Sequence, residues 1–122
     1  MATLLELNTF GTDKVGYLSV FEKILPGDIK RAFFVYGVPP NSQRAKHGHL
    51  QSHQALVCLN GSCRIEISNV NGTASFHLST PQKCLVVEPA DWLLMDQFSK
   101  GSVLLVLSNY YYDLDDYFYQ KP

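Results

Sequence analysis

The sequence of 122 residues is poor in charged side chains, which make up 17% of it, and neither sign dominates. Ten lysine and arginine residues balance 11 aspartate and glutamate residues, so no basic surface for nucleic acid is indicated. No apolar run approaches the roughly 20 residues of a membrane-spanning helix, and no basic segment precedes the first apolar run as in a signal peptide. We therefore expect a cytoplasmic protein that binds neither nucleic acid nor membranes.

Cysteine is also scarce, with only Cys58, Cys63 and Cys84. Each lies in an apolar, strand-like run, and an odd number does not suit a disulfide framework. Reduced, buried thiols are therefore predicted.

The positive signals are short β-type runs separated by turn residues. Seven strands are predicted: Gly16–Lys23, Ile29–Gly37, Gln54–Leu59, Cys63–Asn69, Thr73–Leu78, Cys84–Glu88 and Val103–Ser108. Asn60-Gly61 and Asn71-Gly72 are each typical of a hairpin turn, because the favoured two-residue turn needs positive φ. The best helix candidate is the short tail Asp113–Gln120, and no segment shows a convincing helical stripe over three turns. One all-β domain over residues 1–122, a sandwich or barrel, is predicted.

The polar residues with chemical potential cluster in Arg44-Ala-Lys-His47-Gly-His49, followed by Gln54. On a strand, alternation places the imidazoles of His47 and His49 on one face. Such a pair can ligate a metal, can serve as acid and base, or can be two surface histidines on an edge strand. Arg44 follows a turn, which leaves the direction of its side chain open.

The spacing resembles the first cupin motif, in which His-x-His is followed by an acidic ligand and a glycine. Gln54 stands in the acidic position and Gly61 in the glycine position. In the second motif Pro89 matches, but Leu94 replaces the last histidine. Two of four ligands remain, whereas a catalytic metal needs about three, so a metal-free site is predicted.

Over nearly its whole length the chain also resembles the sugar 3,4-ketoisomerases, cupins that act on a dTDP-linked 4-keto-6-deoxyhexose. The matching stretches are Ile24-Leu-Pro-Gly-Asp-Ile-Lys-Arg31, Arg44-x-x-His47-x-His49, Gln54-Ala-Leu-Val-Cys-Leu-Asn-Gly61, Pro89-x-x-Trp92, Tyr111-Tyr-Asp113 and Asp116-Tyr117. The resemblance implies a cupin jelly-roll barrel and a cytoplasmic homodimer without metal or organic cofactor. It implies an isomerase that moves the ketone from C4 to C3 for deoxyamino-sugar biosynthesis.

The resemblance also assigns roles. His47 is expected to be the catalytic base and His49 its partner, while Arg31 and Arg44 bind the pyrophosphate or the enediolate oxygen. Gln54 and Phe33 complete the substrate site. Lys30 should point away from Arg31 as a solvated charge.

The chain departs from the family at a few positions. Phe33 replaces a pocket tyrosine and removes a hydroxyl, while Val15 and Leu93 replace polar residues. One alternative is therefore a non-catalytic nucleotide-sugar-binding cupin, and another is a metal-dependent cupin enzyme. The aromatic tail from Tyr110 to Tyr119 could stack on a thymine base, although packing against the barrel or a partner is the favoured interpretation.

Overall fold

The computed structural model describes residues 2–122, which form two facing β-sheets and a small hairpin. The strands are β1 Thr3–Glu6, β2 Asn8–Thr12, β3 Gly16–Val20, β4 Arg31–Tyr36, β5 Arg44–His49, β6 Gln54–Asn60, β7 Cys63–Asn69, β8 Gly72–Leu78, β9 Lys83–Val87, β10 Trp92–Asp96, β11 Val103–Ser108 and β12 Tyr117–Phe118. The only helical piece within residues 2–122 is a single 3-10 turn, Leu114–Asp116. The all-β class predicted from the sequence is confirmed.

The two sheets have five strands each, in the orders β1-β9-β6-β11-β4 and β12-β5-β10-β7-β8. Strands that are far apart in sequence lie side by side in both, and every pairing is antiparallel. Strands β2 and β3 form a separate hairpin. No helix within residues 2–122 is long and apolar enough to cross a membrane.

The core fills the space between the two sheets. In β11 Leu104 and Val106 are fully buried, and they pair with Cys58 and Leu56 of β6. Because paired residues share a face, these four side chains point inward together. Ser108 continues the same face at the end of β11, where the inner surface becomes polar.

One of the two predicted hairpins is wrong. Strands β6 and β7, which flank Asn60-Gly61, belong to different sheets, so this turn carries the chain from one sheet to the other. Gly61 does have a positive φ of 71°, as the turn signal requires. A turn signal determines only the backbone conformation of the turn. The strands on either side pair with other strands, β6 with β9 and β11, and β7 with β8 and β10. The second hairpin is confirmed, since β7 pairs with β8 from Asn69↔Gly72 onward.

The tail that was the best helix candidate does not form an α-helix. After the 3-10 turn, Tyr117 and Phe118 form an edge strand against His49 and Gly48 of β5. Beyond it, the backbone carbonyl of Tyr119 accepts a hydrogen bond from Trp92 Nε1 at 3.0 Å. Aromatic residues that can pack on a sheet favour this extended path over a short isolated helix. The three cysteines are buried and free, as predicted.

Candidate active site

The site begins with a bulge in β5. Opposite β10, Leu93 pairs with His47 and Leu94 with Ala45, which leaves Lys46 without a partner. Ala45 and Lys46 have positive φ values of 69° and 57°. Such a bulge redirects the side chains that follow it and is common beside functional sites. Here it sets the direction in which His47 and His49 point.

His47 and His49 lie on one face, as the alternation predicted. Their ring centroids are 5.2 Å apart and the rings are nearly perpendicular. The ring of Tyr117 packs against both, with centroids 4.7 Å from His47 and 4.6 Å from His49. His49 is buried and His47 half-buried, so they are not the surface pair considered as an alternative.

Each histidine is held through its Nδ1 atom. Nδ1 of His47 lies 3.0 Å from the carbonyl oxygen of Ala45, and Nδ1 of His49 lies 3.0 Å from Oδ2 of Asp116. Both partners only accept hydrogen bonds, so we assign the proton of each neutral ring to Nδ1. Both Nε2 atoms then carry a free lone pair and can take a proton.

Burial lowers the pKa of both histidines below the ordinary value of 6.5. For His47 the hydrogen bond to the Ala45 carbonyl acts in the opposite direction, and for His49 the hydrogen bond to Asp116 does. The positive charge of Arg31 lowers both values further, which places Arg31 near the two rings. At neutral pH both rings are therefore uncharged bases.

Asp116 is the residue whose importance the sequence did not reveal. Its side chain accepts hydrogen bonds from the Gln51 N–H at 2.6 Å, from the Ser52 hydroxyl and from His49. Its backbone carbonyl accepts the Leu50 N–H at 2.7 Å. Burial works to raise the pKa of this carboxyl, but the hydrogen bonds hold it below its ordinary value. The carboxylate stays ionised and fixes His49.

Arg31 and Phe33 lie on the inward face of β4. The Arg31 guanidinium is 4.9 Å above the ring of Phe33 and 5.6 Å from that of Tyr112. Its Nε is buried and has no hydrogen-bond partner within residues 2–122. A buried, unpaired donor on a fixed cation is suited to an anionic or strongly polar ligand.

Gln54 belongs to the same polar row. Arg31 pairs with Ser108, and Ser108 pairs with Gln54, so the three side chains cross the inner face of one sheet. Gln54 is only 3% exposed, and its Nε2 finds no hydrogen-bond partner in the described part of the chain. The row thus offers two unpaired donors, one from Arg31 and one from Gln54.

Arg44 does not join this group. It is exposed at the start of β5, opposite Met95, on the other side of the bulge from the histidines. It makes no hydrogen bond or ion pair with another described residue. Its role in binding the substrate stays a prediction, and the arginine that the structure brings to the histidines is Arg31.

The residues do not fit a metal of the kind that the cupin motif implies. Leu94 pairs with Glu66 and lies on the face opposite Leu93 and Met95, away from the core. Gln54, in the position of the acidic ligand of the cupin motif, has a neutral amide side chain. Across residues 2–122, no three His, Cys, Asp or Glu side chains are grouped closely enough to hold a metal ion.

Comparisons with known proteins identify the family of this chain. The family model described as "FdtA: WxcM-like, C-terminal" matches residues 1–121. A curated relative, the TDP-4-oxo-6-deoxy-α-D-glucose 3,4-oxoisomerase of Aneurinibacillus thermoaerophilus, is 38% identical over 110 residues, covering 88% of this chain and 79% of the relative.

Solved structures extend the similarity to the whole fold. The sugar 3,4-ketoisomerase QdtA of Thermoanaerobacterium thermosaccharolyticum, in complex with TDP, is 36% identical with a TM-score of 0.91, over 98% of this chain and 88% of that one. The TDP-fucose-3,4-ketoisomerase WlaRA of Campylobacter jejuni is 36% identical with a TM-score of 0.89, over 98% and 89%. The cupin jelly-roll fold is thereby confirmed, and the chain belongs to the FdtA family of WxcM-like C-terminal domains.

Proposed function

We propose that this protein is a sugar-nucleotide 3,4-ketoisomerase that moves the ketone of a TDP-4-keto-6-deoxyhexose from C4 to C3. The observation that carries the proposal is the pair of neutral histidines, each with a free Nε2, beside the unpaired donors of Arg31 and Gln54. A histidine-to-asparagine mutant of QdtA, 34% identical to this chain, has been solved in complex with TDP-4-keto-6-deoxyglucose.

The reaction needs a base that removes the proton from C3, since this step forms an enediol between C3 and C4. His47 takes that role, because its Nε2 is free and its ring is neutral at pH 7. The C4 oxygen then takes up a proton while the C3 hydroxyl gives up its own, and a proton from solvent adds to C4 as the C3 oxygen becomes the ketone. His49 relays the solvent proton to C4, because the Asp116 carboxylate stabilises its protonated form.

The negative charge that develops on the enediolate oxygens needs fixed donors. Arg31 supplies a cation held between the rings of Phe33 and Tyr112, and Gln54 supplies a buried amide N–H. Donors that are already in place cost no reorganisation when the charge forms. The ring of Phe33 supports Arg31 but has no hydroxyl, so in this chain the proton transfers fall to the histidines.

The test is proton NMR of TDP-4-keto-6-deoxyglucose incubated with the purified protein in deuterated water. We expect a 3-keto product that carries deuterium at C4, and we expect the signal to be lost in His47→Ala. An unchanged substrate spectrum, with the protein shown to be folded by circular dichroism, would contradict the proposal and support a non-catalytic nucleotide-sugar-binding protein.

We further propose that the enzyme acts as a homodimer through the outer face of the sheet that contains β4. Phe34 and Tyr36 are 61% and 69% exposed there, with rings 5.8 Å apart, and Phe34 lies beside Leu105. Exposed apolar surface of this kind is typical of protein interfaces. Light scattering would test it: Phe34→Glu should give a monomer, and a monomeric wild type would contradict it.

We also propose that the protein acts in the cytoplasm without a metal or organic cofactor. The three free, buried cysteines support a reducing compartment. Metal analysis of the purified protein tests the second part. A stoichiometric transition metal that is lost in His47→Ala would instead favour the metal-dependent alternative.

A further inference from the structure

The tail segment, residues 117–121, runs along the edge of the sheet β12-β5-β10-β7-β8 and contacts both of its faces. On the inner face the ring of Tyr117 packs against His47 and His49. Strand β12 itself pairs with β5 over only two residues, at the edge of the sheet. So short a strand is held weakly by its backbone, and side-chain contacts therefore decide where the segment lies.

Trp92 provides such a contact from the outer face of the same sheet. In β10 Leu93 and Met95 belong to the core between the sheets, so alternation along the strand turns Trp92 to the outer face. Trp92 is nevertheless only 7% exposed, because the tail segment covers it. Its Nε1 donates to the Tyr119 carbonyl at 3.0 Å, and the Lys121 ammonium lies 5.4 Å from the centre of its ring.

Lys121 adds a second attachment on the outer face. Its ammonium lies 3.3 Å from the Glu66 carboxylate of β7. A partly exposed ion pair of this kind contributes little by itself. Trp92 is the stronger attachment, since it offers both a hydrogen-bond donor and a flat ring for the lysine. The tail segment is thus fastened behind the sheet while Tyr117 lies in front of it.

The two histidines need the contact with Tyr117. Each imidazole is held by a hydrogen bond at Nδ1, which fixes one edge of the ring. A ring held at one edge can still tilt, and tilting moves Nε2, the atom that takes the proton. The ring of Tyr117 packs against both imidazoles and opposes this motion. Alignment matters because a misplacement of about 1 Å can lower a rate about a hundredfold.

We infer that Trp92 is a positioning residue of the active site, which fastens the tail segment and thereby holds the Tyr117 ring against both histidines. This role rests on the proposed function, which makes the histidines acid and base. Trp92 does not itself reach the site, because His47 pairs with Leu93 and shares its inward face. The ring of Tyr119 stacks on that of Tyr117 at 6.2 Å, which connects the fastened part of the segment to the histidines.

The first test is an NMR pH titration of the imidazole protons in the resting protein, which needs no substrate. Tyr117→Ala should raise the pKa of both histidines toward 6.5, because it removes part of the burial that lowers them. Trp92→Phe, which keeps a ring but removes the N–H donor, should raise the same two pKa values by a smaller amount. Tyr117→Phe keeps the buried ring and should leave them unchanged. The charged groups that act on the two rings, Arg31 and Asp116, are present in all three variants.

The second test is steady-state turnover of TDP-4-keto-6-deoxyglucose by the same variants. Tyr117→Ala should lower kcat about tenfold to a hundredfold, and Trp92→Phe about three- to tenfold. KM of Trp92→Phe should stay within about threefold of the wild type, because no group offered to the substrate is removed. Tyr117→Phe should retain kcat within about twofold, since the packing of the ring is kept.

Phe98→Leu is the matched control for loss of stability. Phe98 is an aromatic residue of the core that is as deeply buried as Trp92, and it lies away from the tail segment, beside Gly37 and Gly101. It should lower the free energy of unfolding but leave the histidine pKa values and kcat unchanged. Unchanged pKa values and kcat in Trp92→Phe, or losses equal to those of Phe98→Leu, would overturn the role of Trp92.

Glu66→Gln decides the matter if Trp92→Phe does not fold. It releases Lys121 without altering the core, and loss of a negative charge by itself would lower the pKa of a nearby histidine. A rise in both histidine pKa values therefore reports that the tail segment has loosened, and this is the expected result. Unchanged or lower values would contradict the fastening of the segment on the outer face.

These outcomes are separate from the fate of the proposed function. If the variants raise the histidine pKa values but the wild type shows no turnover, the role of Trp92 in holding the tail segment stands and the isomerase proposal fails. If the wild type turns the substrate over and the variants change neither the pKa values nor kcat, the reverse holds.

Discussion

Nδ1 of His49 lies 3.0 Å from Oδ2 of Asp116, although the two residues are 67 positions apart in sequence. The imidazole is neutral and the carboxylate is charged, since burial lowers the pKa of the histidine and hydrogen bonds hold the pKa of Asp116 down. The pair is thus a neutral donor bound to an anion. The anion becomes most stabilising at the moment when His49 takes up a proton.

We expect Asp116→Asn to reduce kcat about tenfold or more, a loss of roughly 1.4 kcal/mol of transition-state stabilisation. An asparagine cannot stabilise protonated His49 by charge, and its amide can present a donor to Nδ1 and favour the wrong tautomer. KM should change much less, because Asp116 lies behind His49. The measurement is steady-state turnover by NMR.

Asp115→Asn is the matched control, since Asp115 is an exposed carboxylate in the same 3-10 turn. It should retain wild-type kcat. Equal losses in the two variants would mean that Asp116 acts only by holding the turn together, and an unchanged kcat in Asp116→Asn would refute its role.

The pH dependence of kcat/KM should show an acidic limb with its midpoint below 6.5. The base must be unprotonated, so the rate rises with pH and levels off above the pKa of the histidine, which burial has lowered. In Asp116→Asn the midpoint should not move upward, because the carboxylate raises the pKa of His49. A wild-type midpoint above 6.5 would show that bound substrate or another charge outweighs the burial.

The two histidines could be identified from the sequence because alternation on a strand is local. The backbone features that hold them in place could not be predicted in this way. Strand β5 was not among the predicted strands, since its bulge at Ala45 and Lys46 needs two positive φ values that neither residue type signals. The bulge is imposed by pairing with β10 and is therefore a tertiary feature.

The role of Asp116 could not be predicted either, because its partners are distant in sequence. Its partners Gln51 and Ser52 lie 65 and 64 residues away, and nothing near Asp116 in the chain indicates them. The same holds for Lys30, which meets Tyr111 only because β4 pairs with β11. The prediction of a hairpin at Asn60-Gly61 was wrong for the opposite reason. The turn itself forms as its sequence indicates, but the sheet that each flanking strand joins depends on residues far away in the chain.

Phe33→Leu should raise KM for the sugar nucleotide about two- to fivefold, since a cation over an aromatic face is worth about 0.5–1 kcal/mol and more when desolvated. Phe33 supports the Arg31 guanidinium from 4.9 Å, and leucine offers no such face. Phe33→Tyr keeps the ring and should keep KM near the wild-type value. Equal KM values for the leucine and tyrosine variants would show that Arg31 does not depend on this ring.

Gly48 lies between the two histidines, and its missing side chain is a packing requirement. A Cβ atom there would lie 2.5 Å from the backbone carbonyl oxygen of Asp91 and would clash with the ring of Phe118. Gly48→Ala must therefore push β5 away from its neighbours β10 and β12 and displace both imidazoles. We expect a loss of roughly 1–3 kcal/mol in the free energy of unfolding, as for other overpacked sites.

The measurement is urea denaturation together with the NMR assay of turnover. Gly37→Ala serves as the control, because an added Cβ there meets open space and only its positive φ of 68° is strained. In buffer without urea, at a temperature where both variants are fully folded, Gly48→Ala should lose most of its turnover and Gly37→Ala should not. If Gly48→Ala retained wild-type stability and turnover, β5 would have room to shift without moving the histidines, and their alignment would not depend on the close approach at Gly48.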